Sequence, residues 1–166
     1  MARRFRRTKD GVEARLEGAE AAVLRDLAEG LLVLLADSPT VGDEVLARLF
    51  PDGYRDDPVA AEELRSLTQD DLREGKRAAL SAVISGLGQR DGKGRLVLDS
   101  AAAEQWLGAL NDLRLSLGTR LGVTEDTYDE LDAEPAAIAA EPRQQALEVY
   151  AWLGWLQESL VETLMS

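Results

Sequence analysis

The chain has 166 residues, a formal net charge of −12 and 31 acidic side chains, and it contains neither histidine nor cysteine. This composition excludes nucleophilic catalysis built on imidazole or thiolate, together with the usual ligand sets of zinc, iron–sulfur and haem centres. The strong negative charge also disfavours nucleic acid and anionic membranes as partners.

The first segment of the chain predicts a β-hairpin. Residues 5–8 and 12–16 flank a short loop that ends in Gly11, and glycine in so short a loop is typical of a hairpin. We expect residues 1–18 to form a hairpin appendage. A third strand is predicted over residues 95–99, and we expect it to pair with the hairpin because an isolated hairpin is only marginally stable in water.

The rest of the chain predicts packed helices. Hydrophobic residues make up 45 % of the chain and aromatic residues only 5 %, so leucine, valine and alanine must build the core, and leucine and alanine are strong helix formers. Acidic residues 124–141 predict a loop. The predicted helices cover residues 19–36, 41–50, 57–67, 68–87, 100–121 and 142–164. We therefore expect one mainly α domain over residues 1–166, a compact bundle of about five to six helices with a small N-terminal antiparallel β-sheet.

Three sequence features suggest chemistry, and each has a plainer interpretation that we prefer. The acidic groups within residues 52–63 and 125–134 could hold Mg²⁺ or Ca²⁺, but they lack the EF-hand pattern and are read as solvated surface. The glycine-rich segment 86–94 departs from the phosphate-loop spacing and predicts a flexible connection. Residues 1–9 carry five basic and no acidic side chains, which could bind phosphates but also keep an edge strand soluble. We therefore predict no metal site, no cofactor and no catalytic residue.

Two charged residues fall inside leucine stripes. Helical projection places Glu20 within the apolar face of the helix over residues 19–36, and Arg114 within that of the helix over residues 100–121. Isolated charges on apolar faces are costly. Because the two signs are opposite, we predict that Glu20 and Arg114 form a semi-buried structural ion pair.

The last helix carries tryptophans outside its core stripe. Projection places Trp155 nearly opposite Leu153, beside Gln144, while Trp152 lies between Trp155 and the core. Either a second element of the chain covers this edge, or Trp152 and Trp155 form a partner interface, since tryptophan is enriched at interface hot spots. The simplest interface would be that of a two-fold homodimer.

Several ordered segments carry a family resemblance. They are RLFP (48–51), WL (106–107), NDLRL (111–115), LGTRLG (117–122) and VYAWLGWLQ (149–157). In order and over nearly the whole length, they resemble an actinobacterial family of unknown function. Its members are commonly encoded beside the ClpS proteolysis adaptor, and often near a ubiquitin-like sulfur carrier and a JAMM metalloprotease. The resemblance thus indicates which genes commonly lie nearby, and it assigns no catalytic residues.

These features favour a non-enzymatic binding or regulatory protein with a protein partner. The resemblance implies a link to regulated proteolysis or sulfur-carrier metabolism. Two other classes stay open: a transcriptional regulator that binds DNA through the basic N-terminus, and a carboxylate-metal enzyme. We find no signal-peptide pattern and no run of about 18 apolar residues, so we expect a cytoplasmic protein without a membrane span.

Overall fold

The computed structural model describes residues 3–36, 58–122 and 142–166, together with Val45 and Leu49. These parts of the chain form a mainly helical structure with a small three-stranded antiparallel sheet, which confirms the predicted class. In chain order the elements are β1 (Arg3–Thr8), β2 (Gly11–Arg15), α1 (Gly18–Ala36), α2 (Pro58–Gly88), β3 (Arg95–Leu98), α3 (Ser100–Leu121) and α4 (Pro142–Met165).

The described residues contain four helices, so the expectation of five to six is wrong for this part of the chain. The helices predicted over residues 57–67 and 68–87 are one continuous helix, α2. The sequence predicts a helix start from the capping-box pattern of residues 68–71, but these residues lie inside α2. A cap contributes only about 1 kcal/mol, while a break requires a new helix to nucleate. The helix predicted over residues 41–50 and the loop over 124–141 lie outside the described residues, apart from the buried Val45 and Leu49.

Helices α2 and α3 run antiparallel. Lys76, in the middle of α2, contacts Asp112 in the second half of α3, whereas Gly86 at the end of α2 meets Trp106 in the first half of α3. A methyl group at Gly86 would lie 3.1 Å from the Trp106 ring. The small residue therefore lets the helices approach closely around this fully buried tryptophan.

Helices α3 and α4 also run antiparallel. The Gln157 amide donates to Asn111 at one end of their contact, over 3.1 Å, and Gly118 packs against Tyr150 at the other. A Cβ atom on Gly118 would lie 2.9 Å from the Tyr150 ring, which is closer than real Cβ contacts. This seam thus depends on glycine for its spacing.

The caps of α3 follow the sequence signals. The Asp99 side chain accepts a hydrogen bond from the Ala102 amide over 2.8 Å, and Gly122 ends the helix in the left-handed conformation. The sequence predicts a cap at Asp99 or Ser100 and an end at Gly122, and the structure has Asp99 as the cap.

The sheet has the order β1-β2-β3, which confirms that residues 95–98 pair with the hairpin. Its inner side chains belong to the same core as the helices. They are Phe5, Val12, Ala14, Leu96 and Leu98. The turn before β3 depends on Gly94, whose φ is +78° and where a Cβ would collide with the Leu16 carbonyl. The core therefore continues from the helices into the sheet.

Strand β1 lies at the edge of the sheet, and α4 covers that edge. The Phe5 amide donates to the Ser159 hydroxyl over 3.3 Å, and the Thr163 hydroxyl donates to the Phe5 carbonyl over 2.9 Å. The Arg7 guanidinium donates to the Thr163 carbonyl over 3.1 Å. Buried hydroxyls thus take the place of a fourth strand and leave these backbone groups unavailable to another chain.

Candidate functional site

The outer face of α4 exposes an aromatic side chain. Trp155 is 42 % exposed, whereas Leu153 on the opposite side of the helix is fully buried. Trp152 is half-buried and packs against the core. Gln144, which projection places beside Trp155, is buried with 6 % exposure. The exposed surface is therefore narrower than the projection suggests and centres on Trp155.

The structure places Glu20 and Arg114 in different surroundings. The Glu20 carboxylate accepts a hydrogen bond from the Glu17 amide over 3.0 Å, the arrangement of a capping box at the start of α1. Arg114 lies in the α3–α4 seam, where its Cδ is 3.8 Å from the Cβ position of Gly154 and its buried Nε has no hydrogen-bond partner. The Glu20–Arg114 ion pair stays a prediction, because projection identifies a stripe on a helix but not the neighbour that the stripe faces.

The α3–α4 seam holds a second unsatisfied polar atom. Gln157 donates through its amide nitrogen to Asn111, while its buried Oε1 has no partner. A buried donor on Arg114 and a buried acceptor on Gln157 therefore lie in one helix–helix contact. Such groups reduce stability unless a hydrogen bond compensates them.

A buried ion pair links α2 and α3. The Lys76 ammonium donates to both oxygens of Asp112, over 3.0 and 3.1 Å, and the Asp112 side chain is only 7 % exposed. Burial raises the pKa of Asp112 above its ordinary value, and the Lys76 contacts oppose that rise. The pair therefore compensates a carboxylate that is buried between two packed helices.

The outer face of the sheet carries an arginine cluster around one carboxylate. Glu13 accepts hydrogen bonds from Arg6 over 3.0 Å and from Arg95 over 2.9 Å, one on each oxygen. Hydrogen bonds from these two guanidinium groups lower the pKa of Glu13. Arg95 also lies 3.5 Å from Asp10. Strand alternation places these outward-facing side chains opposite the buried core residues.

A small groove lies between α1 and α3. It has a volume of about 230 Å³ and is lined mainly by leucines, with Asp26 and Arg120 among its lining residues. The volume suits one or two side chains, so the groove by itself indicates no ligand class.

Comparison with known proteins places the chain in a family. The domain of unknown function DUF2017 matches residues 2–164. The chain belongs to the DUF2017 family. Proteins named oxidative stress regulator AosR from Mycobacterium tuberculosis and Mycobacterium bovis are each 34 % identical to it over 202 aligned residues, covering 99 % of this chain and 89 % of theirs. A putative oxidative stress regulator AosR from Mycobacterium leprae is 35 % identical over 75 % of this chain and 59 % of its own length. No solved structure matches the chain.

In this DUF2017 chain, the described residues hold no group of three or more potential metal ligands. The two acidic groups of the sequence lie largely outside the described residues, so the carboxylate-metal prediction stays untested. Among the described helices, none is long and apolar enough to cross a membrane.

Sequence reasoning missed the Lys76–Asp112 pair. Helical projection places Asp112 about 160° from Leu110, outside the leucine stripe of α3, so the sequence offers no reason to expect its burial. The side chain is buried because α2 also covers this part of α3 through Lys76.

Proposed function

We propose that this DUF2017 chain is a non-enzymatic regulatory protein of the oxidative-stress response that acts through contact with another protein. The observation that carries the proposal is the 34 % identity, over 99 % of the chain, with proteins named oxidative stress regulators. The absence of histidine and cysteine supports the non-enzymatic part, because it removes the commonest acid–base and nucleophilic groups.

The composition also limits how such a regulator would receive an oxidative signal. Reversible oxidation of side chains proceeds mainly at cysteine thiolates and at methionine. The chain has no cysteine and two methionines, of which Met165 is 82 % exposed at the end of α4. No thiol–disulfide switch can form within it. We therefore propose that the signal reaches this chain through its partner.

The outer face of α4 is the proposed contact surface. Trp155 is exposed there and Trp152 borders it, and a large aromatic side chain that leaves the core is a common anchor in protein interfaces. A two-fold homodimer is the simplest assembly through this face. A cytoplasmic role linked to regulated proteolysis or to sulfur-carrier metabolism belongs to the same proposal and rests on the family resemblance alone.

The regulatory role is tested by deleting the gene in the native host and measuring survival after hydrogen peroxide treatment. We expect reduced survival, restored by the wild-type gene. The proposed function would be contradicted if the deletion strain survived peroxide as well as the wild type and showed the same change in transcription after peroxide.

The contact surface is tested separately by substitution. Trp155→Ala should fail to restore survival, whereas Val33→Ala, which alters a 65 % exposed side chain on α1, should restore it. The solution mass of both variants distinguishes a homodimer from a different partner. Equal rescue by the two variants, with equal mass, would remove Trp155 from the interface while leaving the regulatory role intact.

A further inference from the structure

Charge is strongly separated along the fold. Residues 1–16 and 89–98, which contain the three strands and their turns, hold nine basic and three acidic side chains, a net +6. The other described segments, residues 17–36, 58–88, 99–122 and 142–166, hold eight basic and 15 acidic side chains, a net −7. The sheet is therefore a basic end on an acidic helical body. Such a separation orients a charged partner before contact.

The basic end is also geometrically ordered. Glu13 is nearly buried between two guanidinium groups, with Nη2 of Arg6 on one oxygen and Nε of Arg95 on the other. The side chains of Arg6 and Arg95 remain 68 % and 37 % exposed. Arg15 stands opposite Arg95 in the strand register and adds a further positive charge.

This arrangement prepares the two arginines for an anionic ligand. Each guanidinium has five N–H donors, and the bonds to Glu13 use only part of them. Because the carboxylate holds both groups on a rigid sheet, their side-chain freedom is already reduced before a ligand arrives. Binding to a pre-ordered arginine avoids part of the entropy cost of immobilising its side chain.

We propose that the outer face of the sheet, formed by Arg6, Arg15 and Arg95 around Glu13, binds an acidic polypeptide segment through its carboxylates. Charge complementarity with this face, where three arginines surround one carboxylate in a basic part of the chain, carries the choice of an anionic partner. The half-buried Val97, which pairs with Glu13 in the register, supplies an apolar contact on the same face. This proposal rests on the sheet alone and does not depend on the contact surface of α4.

The size of the face favours a peptide over a nucleic acid. The longest strand has six residues, which span about 20 Å. A DNA duplex carries one charge about every 1.7 Å along its axis, so most of its phosphates would lie beyond this face. Those near the described helices would meet their net charge of −7 within a screening length of about 8 Å. A short acidic segment can place all its carboxylates on the basic end.

The experiment uses the full chain and a fluorescent peptide of alternating glutamate and alanine, with a glutamine-for-glutamate peptide as the control ligand. Fluorescence anisotropy should show binding of the acidic peptide that weakens with salt, and no binding of the control peptide. Arg15→Gln should weaken binding about three- to tenfold, as loss of roughly 1 kcal/mol predicts. Arg77→Gln, the same charge change on an exposed side chain of α2, should have little effect.

The variant Glu13→Gln shows whether peptide binding depends on the ordering of the arginines or on charge alone. Removing this carboxylate makes the face more positive, so simple attraction would tighten binding, whereas loss of the arginine ordering should weaken it about twofold or more. A thermal melt of each variant shows that the fold is kept. Tighter binding by Glu13→Gln, absence of peptide binding, or stronger binding to a 16-base-pair duplex than to the peptide would each overturn the proposal.

Discussion

Replacing Lys76 with methionine removes the cation that compensates the buried Asp112 and preserves most of the side-chain length. Breaking a buried ion pair by removing one partner costs about 3–5 kcal/mol. The Lys76 side chain keeps 22 % exposure, so water can partly replace it, and we expect a loss near the lower limit, about 3 kcal/mol. For a domain of this size that corresponds to a fall in Tm of about 6–12 °C.

The loss should depend on pH because Asp112 titrates. Burial already raises its pKa above the ordinary 3.8, and without Lys76 the pKa rises further. A carboxyl group with a raised folded-state pKa contributes most to stability below its unfolded-state pKa, and that contribution is lost as pH rises through the folded-state pKa. The destabilisation by Lys76→Met should therefore be smallest near pH 4 and grow towards pH 7.

Urea unfolding between pH 4 and pH 8 measures both effects. Lys93→Met, which alters an exposed lysine in the turn before β3, serves as the control and should stay within about 0.5 kcal/mol of wild type. The double variant Lys76→Met/Asp112→Leu should recover most of the loss, because an apolar pair leaves no buried charge. A loss below about 1 kcal/mol for Lys76→Met, or one that does not change with pH, would refute this reasoning.

Three other substitutions test separate features of the fold. Gly118→Ala should lower stability by about 1–3 kcal/mol in a thermal melt, since the new methyl group meets the Tyr150 ring, whereas Gly108→Ala, with open space around it, should be neutral or stabilising. Thr163→Val should leave a buried carbonyl of β1 without its donor, which costs about 1–3 kcal/mol, and light scattering should show more aggregation than in wild type. Glu13 has a lowered pKa, so its contribution to stability is present above the ordinary value of 4.5 and is lost as pH falls through the folded-state pKa. In Glu13→Gln, the free energy of unfolding measured in urea should therefore fall less steeply at acid pH than in wild type.

The parts of the fold that sequence predicted are those that local rules govern. Asp99 caps the start of α3 and Gly122 ends it. Accepting a hydrogen bond through the side chain and adopting a positive φ are both properties of single residues. The pairing of residues 95–98 with the hairpin followed from the instability of two strands alone. The helix start predicted at Thr68 is wrong because α2 is continuous there. A single local cap stabilises less than an unbroken helix does.

The candidate sites depend on packing partners, which sequence periodicity does not identify. Projection correctly separates Trp155 from the core, because direction around one helix is a local property. It does not show that Arg114 faces α4 or that Asp112 faces Lys76. The arginine cluster needed both the register of β2 with β3 and the bulge in β1, and neither can be read from the spacing of arginines.

The cover that α4 provides for β1 has a consequence for synthesis of the chain on the ribosome. The Phe5 amide donates to a residue 154 positions later, and the Phe5 carbonyl accepts from one 158 positions later. At typical rates of synthesis the strand waits about 8–30 s before these hydroxyls exist. During that interval its edge is open to chaperones and to neighbouring nascent chains. The last turns of α4 thus end the interval in which the edge of β1 is exposed.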